Sequence, residues 1–377
     1  MSRTIAILSK YPPLEGGIAA KTYWIARGLA ARGHEVHIIT DGLDAGREYR
    51  IQGNDEPPEV LPNLWIHRPK EEIPWHIPEG DENFLTLLDL TIRMIQEHKV
   101  RVLDTGYLVP YGIIGHIAKR ITGIVHVLRH GGSDIEKFLK GKVLGAVLYE
   151  TINCADVVVT DERHKDLLKP MNKNLVLQPP YVVDAEAFVP REGPELKQRL
   201  AVIGKVNYHW QSKGLHHIAE IMHRLTGQFE CVFVGQGKGM SDLQSTLGQE
   251  VVSNIIWKPF VPPWKMPHLL DQLDALFLFE SGLPHPVVSN LAMEAMCSGV
   301  GIITDRTDFA ETYEGLVAIG DEQVLVVQPV NPSLAAEEIV RWLDKRAKPR
   351  QSEGQLATYR DYLAATEALY SNILSCY

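Results

Sequence analysis

Cysteine is scarce in this chain of 377 residues, which contains only four. Cys154, Cys231, Cys297 and Cys376 are widely spaced, and no two of them form a CxxC pair. This spacing excludes the common cysteine-rich zinc motifs. Reduced and mostly buried thiols are typical of cytoplasmic proteins, so we expect a cytoplasmic location.

Long hydrophobic runs are also absent. No apolar stretch approaches the roughly 20 residues that a membrane-spanning helix needs. The first apolar run is only as long as a strand, and Pro12 and Pro13 end it, which argues against a secretory signal. We expect no transmembrane segment, whereas a peripheral contact with a membrane stays open because a sequence does not show which residues share a face.

The chain lacks an excess of positive charge. Its 38 basic side chains are outnumbered by 47 acidic ones, for a formal net charge of -9. A nucleic-acid-binding domain is expected to be strongly basic, so we predict no nucleic-acid partner. The hydrophobic share of 45% is that of a soluble globular protein, and the length suits two domains of roughly 180 residues.

Short apolar runs alternate with segments of helical periodicity in both halves. The first half opens with a strand at 4–8, a helix at 19–31 and a strand at 35–40, which is a βαβ unit. Further strands are predicted at 101–104, 124–128, 156–160, 201–203, 230–234, 254–257, 275–279, 300–304 and 323–327, with helices between them. This order is typical of doubly wound parallel sheets.

We therefore predict an α/β protein with two Rossmann-like domains that face each other across a cleft. An N-terminal domain covers residues 1–185 and a C-terminal domain covers residues 186–354, with a proline-rich linker near the boundary. Residues 355–377 contain a last helix, which we expect to pack back on the N-terminal domain. Ligands of such sheets bind beyond the carboxyl ends of the strands.

The segment from Glu280 to Asp305 is the most informative part of the chain. A strand leads into a polar loop, and a helix begins near Ser289 or Asn290. The first amides of a helix lack partners and its dipole is positive there, so a helix start is an anion site. Glu294 lies one turn inside this helix. A diphosphate would suit the amides, and ribose hydroxyls would suit the carboxylate.

Two further segments follow predicted strands in the N-terminal half. Gly16 and Gly17 would let a phosphate or a sugar approach the backbone closely, although a plain tight turn would use the same residues. His130 lies on a loop that also contains Asp134. The histidine could contact a sugar ring, whereas Asp134 is well placed to cap the next helix.

Two lysines stand at one helix start in the second half. Lys205 ends a predicted strand, and Lys213 opens the helix that follows. Two ammonium groups at this place would neutralise a departing diphosphate. The alternative is that both are solvated surface lysines. The neighbouring His216 and His217 lack further ligands at metal-site spacing, so we predict no metal site there.

Six segments in chain order resemble motifs of the GT-B-fold glycosyltransferases of the large retaining family 4. They cover nearly the whole chain, and their order and intervals also match that family. They are SKYPPLEGGIAAKTYWIARGLAARGHEVHIIT, HVLRHGGSDI, ADVVVTDERHKDLL, PYVVDAEAFVP, GKVNYHWQSKGL and SNLAMEAMCSG.

The resemblance implies a role for each matching residue. The amides of Gly16 and Gly17 would meet the donor phosphate or sugar, and His130 would stabilise charge that develops at the reacting carbon. The remaining implied roles concern the nucleotide. Lys205 and Lys213 would bind the β-phosphate, Ser289 and Asn290 would lie under the diphosphate, and Glu294 would bind the ribose hydroxyls.

The chain also departs from the family pattern. The family has two glutamates eight positions apart, and here Pro286 stands eight positions before Glu294. Either Glu280 contacts the donor sugar instead, or the segment that contains His285 recognises the donor sugar. The linker has Tyr181 and Val182 where the family has Asn-Gly, and Lys205 replaces a more usual arginine. Phe260 is a candidate for stacking on the base of the donor nucleotide.

The resulting hypothesis is a retaining transferase that moves a hexosyl or N-acetylhexosaminyl group from a UDP- or GDP-sugar to an acceptor hydroxyl. The acceptor is a small molecule, a glycan or a lipid-linked compound. No DxD-type motif stands where a metal-bridged diphosphate would need it, so we predict metal-independent transfer without a cofactor. The alternatives are a sugar-nucleotide epimerase and a non-catalytic sugar-nucleotide-binding subunit. The oligomeric state stays open.

Overall fold

Two parallel β-sheets form the framework of the protein in a computed structural model. The structure describes residues 3–43, 47–52, 60–69, 82–140, 144–189, 198–207, 209–283, 288–317, 319–320, 322–346 and 358–376. The first sheet has seven strands and the second has six, and helices connect successive strands. The prediction of two doubly wound α/β units is confirmed.

The N-terminal sheet has the strand order β3-β2-β1-β4-β5-β6-β7, with every neighbouring pair parallel. Its strands are β1 (Thr4–Leu8), β2 (Glu35–Ile39), β3 (Leu64–His67), β4 (Val102–Thr105), β5 (Val125–Arg129), β6 (Val157–Thr160) and β7 (Leu175–Leu177). Its α-helices are α1 (Gly17–Ala31), α2 (Glu82–Glu97), α3 (Ile113–Thr122), α4 (Gly145–Cys154) and α5 (Lys165–Leu168).

The C-terminal sheet has the order β10-β9-β8-β11-β12-β13, again parallel throughout. Its strands are β8 (Arg199–Lys205), β9 (Glu230–Gln236), β10 (Ile256–Lys258), β11 (Ala275–Leu278), β12 (Gly301–Thr304) and β13 (Val324–Val326). The α-helices of this half are α6 (Leu215–Leu225), α7 (Met240–Asn254), α8 (Met266–Asp271), α9 (Asn290–Cys297), α10 (Phe309–Tyr313) and α11 (Pro332–Lys345), and α12 (Tyr359–Ser375) follows them.

The central strands were predictable because both of their faces are buried. Strand β1 has the predicted bounds, and four of its five residues are buried. In contrast, β3 and β7 were missed, since neither contains a fully buried residue and the apolar run of each is only three residues long. Among the described residues, no helix is both long enough and apolar enough to cross a membrane.

Helix α12 lies against the N-terminal sheet and helix α1. Leu363 packs so closely on Gly28 that a Cβ atom added to this glycine would lie 2.6 Å from the leucine side chain. The Tyr359 hydroxyl donates to the Trp24 carbonyl. These contacts place the last helix on α1 of the N-terminal half.

A buried polar network anchors α12 to the centre of the N-terminal sheet. Arg129 Nε donates to both carboxylate oxygens of Asp104, at 3.0 and 2.8 Å, and Arg129 Nη1 donates to Gln178 Oε1 at 2.8 Å. The Tyr370 hydroxyl donates to Asp104 Oδ2 at 2.7 Å. Arg129 and Asp104 are only 6% and 3% exposed, so this charge pair is almost fully removed from water.

Candidate active site

The loop after β1 and the start of α9 meet in the cleft between the two sheets. Asn290 Nδ2 donates to the Gly17 carbonyl oxygen at 2.8 Å. Gly16 has a φ of 133°, and a Cβ atom at this position would lie 2.9 Å from Lys205 Nζ. Only glycine combines this backbone conformation with the close approach of the lysine. The structure thus brings Gly16, Gly17, Asn290 and Lys205 together, although the chain separates them widely.

Ser289 occupies the N-cap position of α9. Its hydroxyl oxygen accepts a hydrogen bond from the Ala292 amide at 3.4 Å, and its own amide donates to the Tyr313 hydroxyl at 2.9 Å. The side chain of Ser289 therefore satisfies one amide of the first helical turn. Helix α9 has no acidic residue in its first turn, so no carboxylate there weakens its attraction for an anion.

Lys205 and Lys213 share a carboxylate from the N-terminal half. Lys205 Nζ lies 3.3 Å from Glu15 Oε2 and 5.3 Å from the centroid of the Tyr49 ring. Burial lowers the pKa of Lys213, and the charges of Lys205 and Lys137 lower it further, whereas Glu15 and Glu280 raise it. Burial is therefore the main cause of the lowered pKa, because the two carboxylates act on Lys213 more strongly than the two lysines do.

Two lysines that the sequence analysis missed belong to the same group. Lys10 follows β1 directly, and its pKa is lowered by burial and by the nearby Lys205. Lys137, whose charge acts on both Lys10 and Lys213, follows β5. We call Lys10, Lys137, Lys205 and Lys213 the lysine cluster. The signal used for Gly16, a position just after a strand, could have found Lys10. It could not have found Lys137, which lies eight residues beyond the end of β5 in a helical segment.

Glu294 is buried beneath this region and is 4% exposed. Its Oε1 accepts a hydrogen bond from the Tyr181 hydroxyl at 2.8 Å. Burial raises the pKa of Glu294 to about 7, and the tyrosine opposes this rise. Tyr181 thus provides the linker with a specific contact to the predicted ribose-binding carboxylate. The sequence analysis noted Tyr181 only as a departure from the family pattern.

A cavity lies between the glycine loop and α9. Gly16 and Gly17 line it from the N-terminal half, and Asn290 and Glu294 line it from the C-terminal half. Apolar side chains complete the wall: Leu14, Ile51, Ile203, Val261, Met266 and Leu291. Such a wall beside polar ends suits a ligand that has a flat ring and an anionic group.

Phe260 does not line this cavity. Its ring is 3% exposed, and its amide donates to Gln236 Oε1 at 3.0 Å, whereas the next residue, Val261, is part of the wall. Stacking of a base on Phe260 would need this ring to turn out of the core, and it stays a prediction.

Glu280 lies at the edge of the lysine cluster, next to Arg306. Its Oε2 is 3.7 Å from Arg306 Nη1, and its amide donates to Asp305 Oδ1 at 2.8 Å. Burial raises the pKa of Glu280 to about 7, while Arg306 and Lys213 oppose this rise. His285, the second candidate for reading the donor sugar, lies outside the described residues, as does Pro286.

His130 is held by hydrogen bonds inside the N-terminal half. Its Nδ1 accepts from the Gly132 amide at 3.1 Å, which leaves Nε2 as the donor to Thr160 Oγ1 at 2.8 Å. Burial is the main cause that lowers the pKa of His130 to about 3, and the charge of the nearby His164 lowers it further. The ring is therefore neutral at pH 7. Asp134 organises the same loop, because its carboxylate accepts hydrogen bonds from three backbone amides.

Residues 16–164, which contain the glycine loop and the His130 loop, match the family described as the glycosyl transferase 4-like domain. These residues are less than half of the chain, and this part of it resembles that domain in sequence. The N-acetyl-alpha-D-glucosaminyl L-malate synthase of Bacillus anthracis is 27% identical over 201 residues, which are 50% of this chain and 48% of that protein. The chain thus spans about half the length of this curated relative.

Solved structures share the fold of this chain over nearly its whole length. A crystal structure of Anabaena Alr3699/HepE in complex with UDP and glucose has a TM-score of 0.62 at 13% identity and covers 99% of both chains. The UDP-GlcNAc 2-epimerase from Methanocaldococcus jannaschii has a TM-score of 0.59 at 12% identity and covers 98% of this chain and 99% of its own. At these identities the likeness shows the fold alone.

Proposed function

We propose that this protein is a retaining family-4 glycosyltransferase that moves a hexosyl or N-acetylhexosaminyl group from a UDP- or GDP-sugar to an acceptor hydroxyl. The observation that carries the proposal is the convergence of the lysine cluster and the start of α9 on one cleft. Two similar proteins support a nucleotide-sugar donor. One is a glucosaminyl malate synthase, and another was crystallised with UDP and glucose.

The leaving diphosphate would be stabilised by the lysine cluster and by the first amides of α9. Preorganised positive groups aimed at developing negative charge are the largest single contribution in many enzymes. Glu15 already forms an ion pair with Lys205 at 3.3 Å, so the diphosphate must compete with this carboxylate. We expect Glu15 to turn away from Lys205 when the donor binds.

Glu294 would accept hydrogen bonds from the ribose hydroxyls, with Tyr181 fixing its orientation. The carboxylate lines the cavity and takes the tyrosine hydrogen bond on Oε1, which leaves Oε2 for the ligand. A preorganised acceptor costs little reorientation on binding. The apolar wall beside it would receive the base.

Transfer would take place on one face of the sugar. The bond between the anomeric carbon and the diphosphate oxygen breaks, the acceptor oxygen bonds to the same face, and the acceptor proton passes to the released diphosphate. His130 would lie beside the positive charge that develops at the anomeric carbon. Because its ring is neutral at pH 7, it would not repel that charge. The acceptor would bind to the N-terminal half.

A panel of nucleotide sugars tests the donor class. Thermal unfolding is measured with UDP-, GDP-, ADP- and dTDP-sugars, and one base is expected to raise the midpoint. A ligand present at 100 times its Kd stabilises the folded state by about 2.7 kcal/mol. Lys205→Ala should abolish most of this shift, whereas Lys173→Ala, which changes an exposed lysine outside the cleft, should keep it. If no nucleotide sugar shifts the midpoint, the donor proposal is wrong.

Release of nucleoside diphosphate separates the candidate activities. A transferase releases it only when an acceptor is present, so acceptors are screened with the donor that binds. The likeness to the 2-epimerase structure keeps an epimerase as the second candidate. Nucleotide release or sugar inversion without any acceptor would favour that enzyme. Binding without turnover over a broad acceptor panel would favour a non-catalytic subunit.

A further inference from the structure

Three histidines meet on one face of the N-terminal sheet, outside the cleft. His37 lies on β2 and His67 ends β3, while His98 directly follows α2. The strand register pairs His37 with Trp65 and Ile39 with His67, so the two histidines and the tryptophan lie on the same face. Helix α2 packs on β2 and carries His98 to this face. The sequence analysis gave none of the three a role, although His37 lies inside the first quoted motif.

The ring nitrogens are close enough to share one ion. His37 Nδ1 lies 2.9 Å from His67 Nε2, and one nitrogen from each of the three rings lies within 4.8 Å of the others. Bonds from zinc to histidine of 2.0–2.1 Å in a tetrahedral site put two ligand nitrogens about 3.3 Å apart. The nitrogens therefore need to shift by roughly 1.5 Å at most to reach this geometry. His98, which is half-buried, has the room to make the largest part of that shift.

The surroundings of His37 fit a metal ligand. The His37 ring is 1% exposed, and its Nε2 makes no hydrogen bond to a described residue. Glu35 Oε1 lies 3.8 Å from this Nε2, and Glu35 Oε2 accepts a hydrogen bond from Thr4 Oγ1 at 2.7 Å. A metal ion on Nδ1 would leave Nε2–H to face the Glu35 carboxylate. Histidine ligands commonly donate their second N–H to such a carboxylate.

We propose that His37, His67 and His98 bind one divalent transition-metal ion, for which Zn²⁺ is the test ion. Neutral imidazoles suit zinc, copper and nickel rather than magnesium or calcium. The ion would join the edge strand β3, its neighbour β2 and the end of α2. Because none of the three histidines lines the cavity between the glycine loop and α9, an ion here would stabilise the fold and take no part in sugar transfer.

Zinc binding is measured on the full-length, untagged protein after a chelator has been added and removed. Calorimetry and elemental analysis should give about one Zn²⁺ per chain, and Zn²⁺ should raise the thermal midpoint. His98→Gln is the main variant because this side chain is half-buried. It should weaken zinc binding roughly tenfold or more. His217→Gln, which changes one of two adjacent histidines on α6, is the matched control and should bind as the wild type does.

Circular dichroism confirms that each variant is folded, and His67→Gln replaces His98→Gln if the first variant is not. The absorption spectrum of bound Co²⁺ gives a second readout, which should show a tetrahedral site in the wild type and lose it in the variant. Absence of zinc binding, or equal affinity in His98→Gln and the wild type, would overturn the proposal. Donor binding measured in parallel should be the same in all variants, so this outcome leaves the proposed transferase function untouched.

Discussion

Two groups of charged side chains differ in how their charges are paired, one at the centre of the N-terminal sheet and one in the cleft. Arg129 and Asp104 neutralise each other, and Gln178 and Tyr370 take up further hydrogen bonds of the same pair. The lysine cluster, in contrast, places four ammonium groups near one another, and burial and mutual repulsion lower the pKa of Lys10 and of Lys213.

The difference separates a structural role from a binding role. A buried pair with its hydrogen bonds made holds elements together, and breaking it is costly because one charge is left alone. A group of like charges destabilises the fold by itself and becomes favourable only when an anion joins it. The Arg129–Asp104 pair therefore stabilises the fold, whereas the lysine cluster binds the ligand. Four substitutions test this division.

The largest effect on stability is expected from Asp104→Asn. It leaves the Arg129 guanidinium buried without its counter-charge, which should lower the free energy of unfolding by about 3–5 kcal/mol. Urea denaturation measures this loss. Asp89→Asn, which removes an exposed carboxylate paired with Arg93 on α2, is the control and should change stability by less than about 0.5 kcal/mol. A loss below about 1 kcal/mol for Asp104→Asn would contradict a structural role of the pair.

Lys213→Met should separate activity from stability. Loss of one cationic group at the leaving diphosphate should reduce kcat roughly 100- to 1000-fold. The same change removes a repelled ammonium group, so the thermal midpoint should stay equal or rise. Steady-state kinetics and thermal unfolding check the two halves of this expectation, with Lys173→Met as control. If Lys213→Met lowered the thermal midpoint and left kcat unchanged, Lys213 would have a structural role and not a binding role.

Tyr181→Phe should give a smaller, pH-dependent loss. The raised pKa of Glu294 means that the protonated form fits the fold better, so its contribution to stability is complete below about pH 4.5 and is lost as the pH rises through about 7. The tyrosine hydroxyl offsets this loss because it donates to the ionised carboxylate. We expect Tyr181→Phe to cost about 1.5–3 kcal/mol at pH 8 and less at pH 5.

Urea denaturation of the wild type and of Tyr181→Phe at both pH values makes this measurement. Tyr149→Phe, at a half-exposed position of α4, is the matched control and should show no dependence on pH. An equal cost at pH 5 and pH 8 would mean that the Glu294 carboxyl group does not change its ionisation in this range.

The smallest effect is expected from Glu367→Gln on α12. Hydrogen bonds from Arg32 and His34 hold the pKa of Glu367 at about 2, so its contribution is present above about pH 4.5 and is lost as the pH falls through about 2. Solvent screening limits it to roughly 0.5–1 kcal/mol. Thermal unfolding at pH 7 and pH 3 checks this, with the exposed Glu337→Gln as control. A larger loss for Glu367→Gln at pH 3 than at pH 7 would contradict the assignment.

The sequence predicted the fold well because buried parallel strands are apolar runs. It also placed Gly16, Lys205 and Glu294 at strand ends and helix starts that the topology brings to one cleft. The half-exposed strands β3 and β7 carry no such signal. Strand register can be predicted only after the strands are known, so the meeting of His37 with His67 was out of reach.

Contacts between distant segments account for what was missed in the site. Tyr181 and Glu294 are 113 positions apart, and the local sequence around either residue does not predict their hydrogen bond. Lys10 and Lys137 come from the first sheet and become part of the lysine cluster only when the second sheet closes over the cleft. Each is an ordinary lysine in its local sequence.

The return of α12 to the first sheet has a mechanical consequence. The backbone passes from one half of the molecule to the other twice, once after β7 and once before α12. The second passage ends on α1, where Leu363 and Tyr359 make their contacts. A single cut of the backbone after β7 would therefore leave the two halves held together through the packing of α12 on α1.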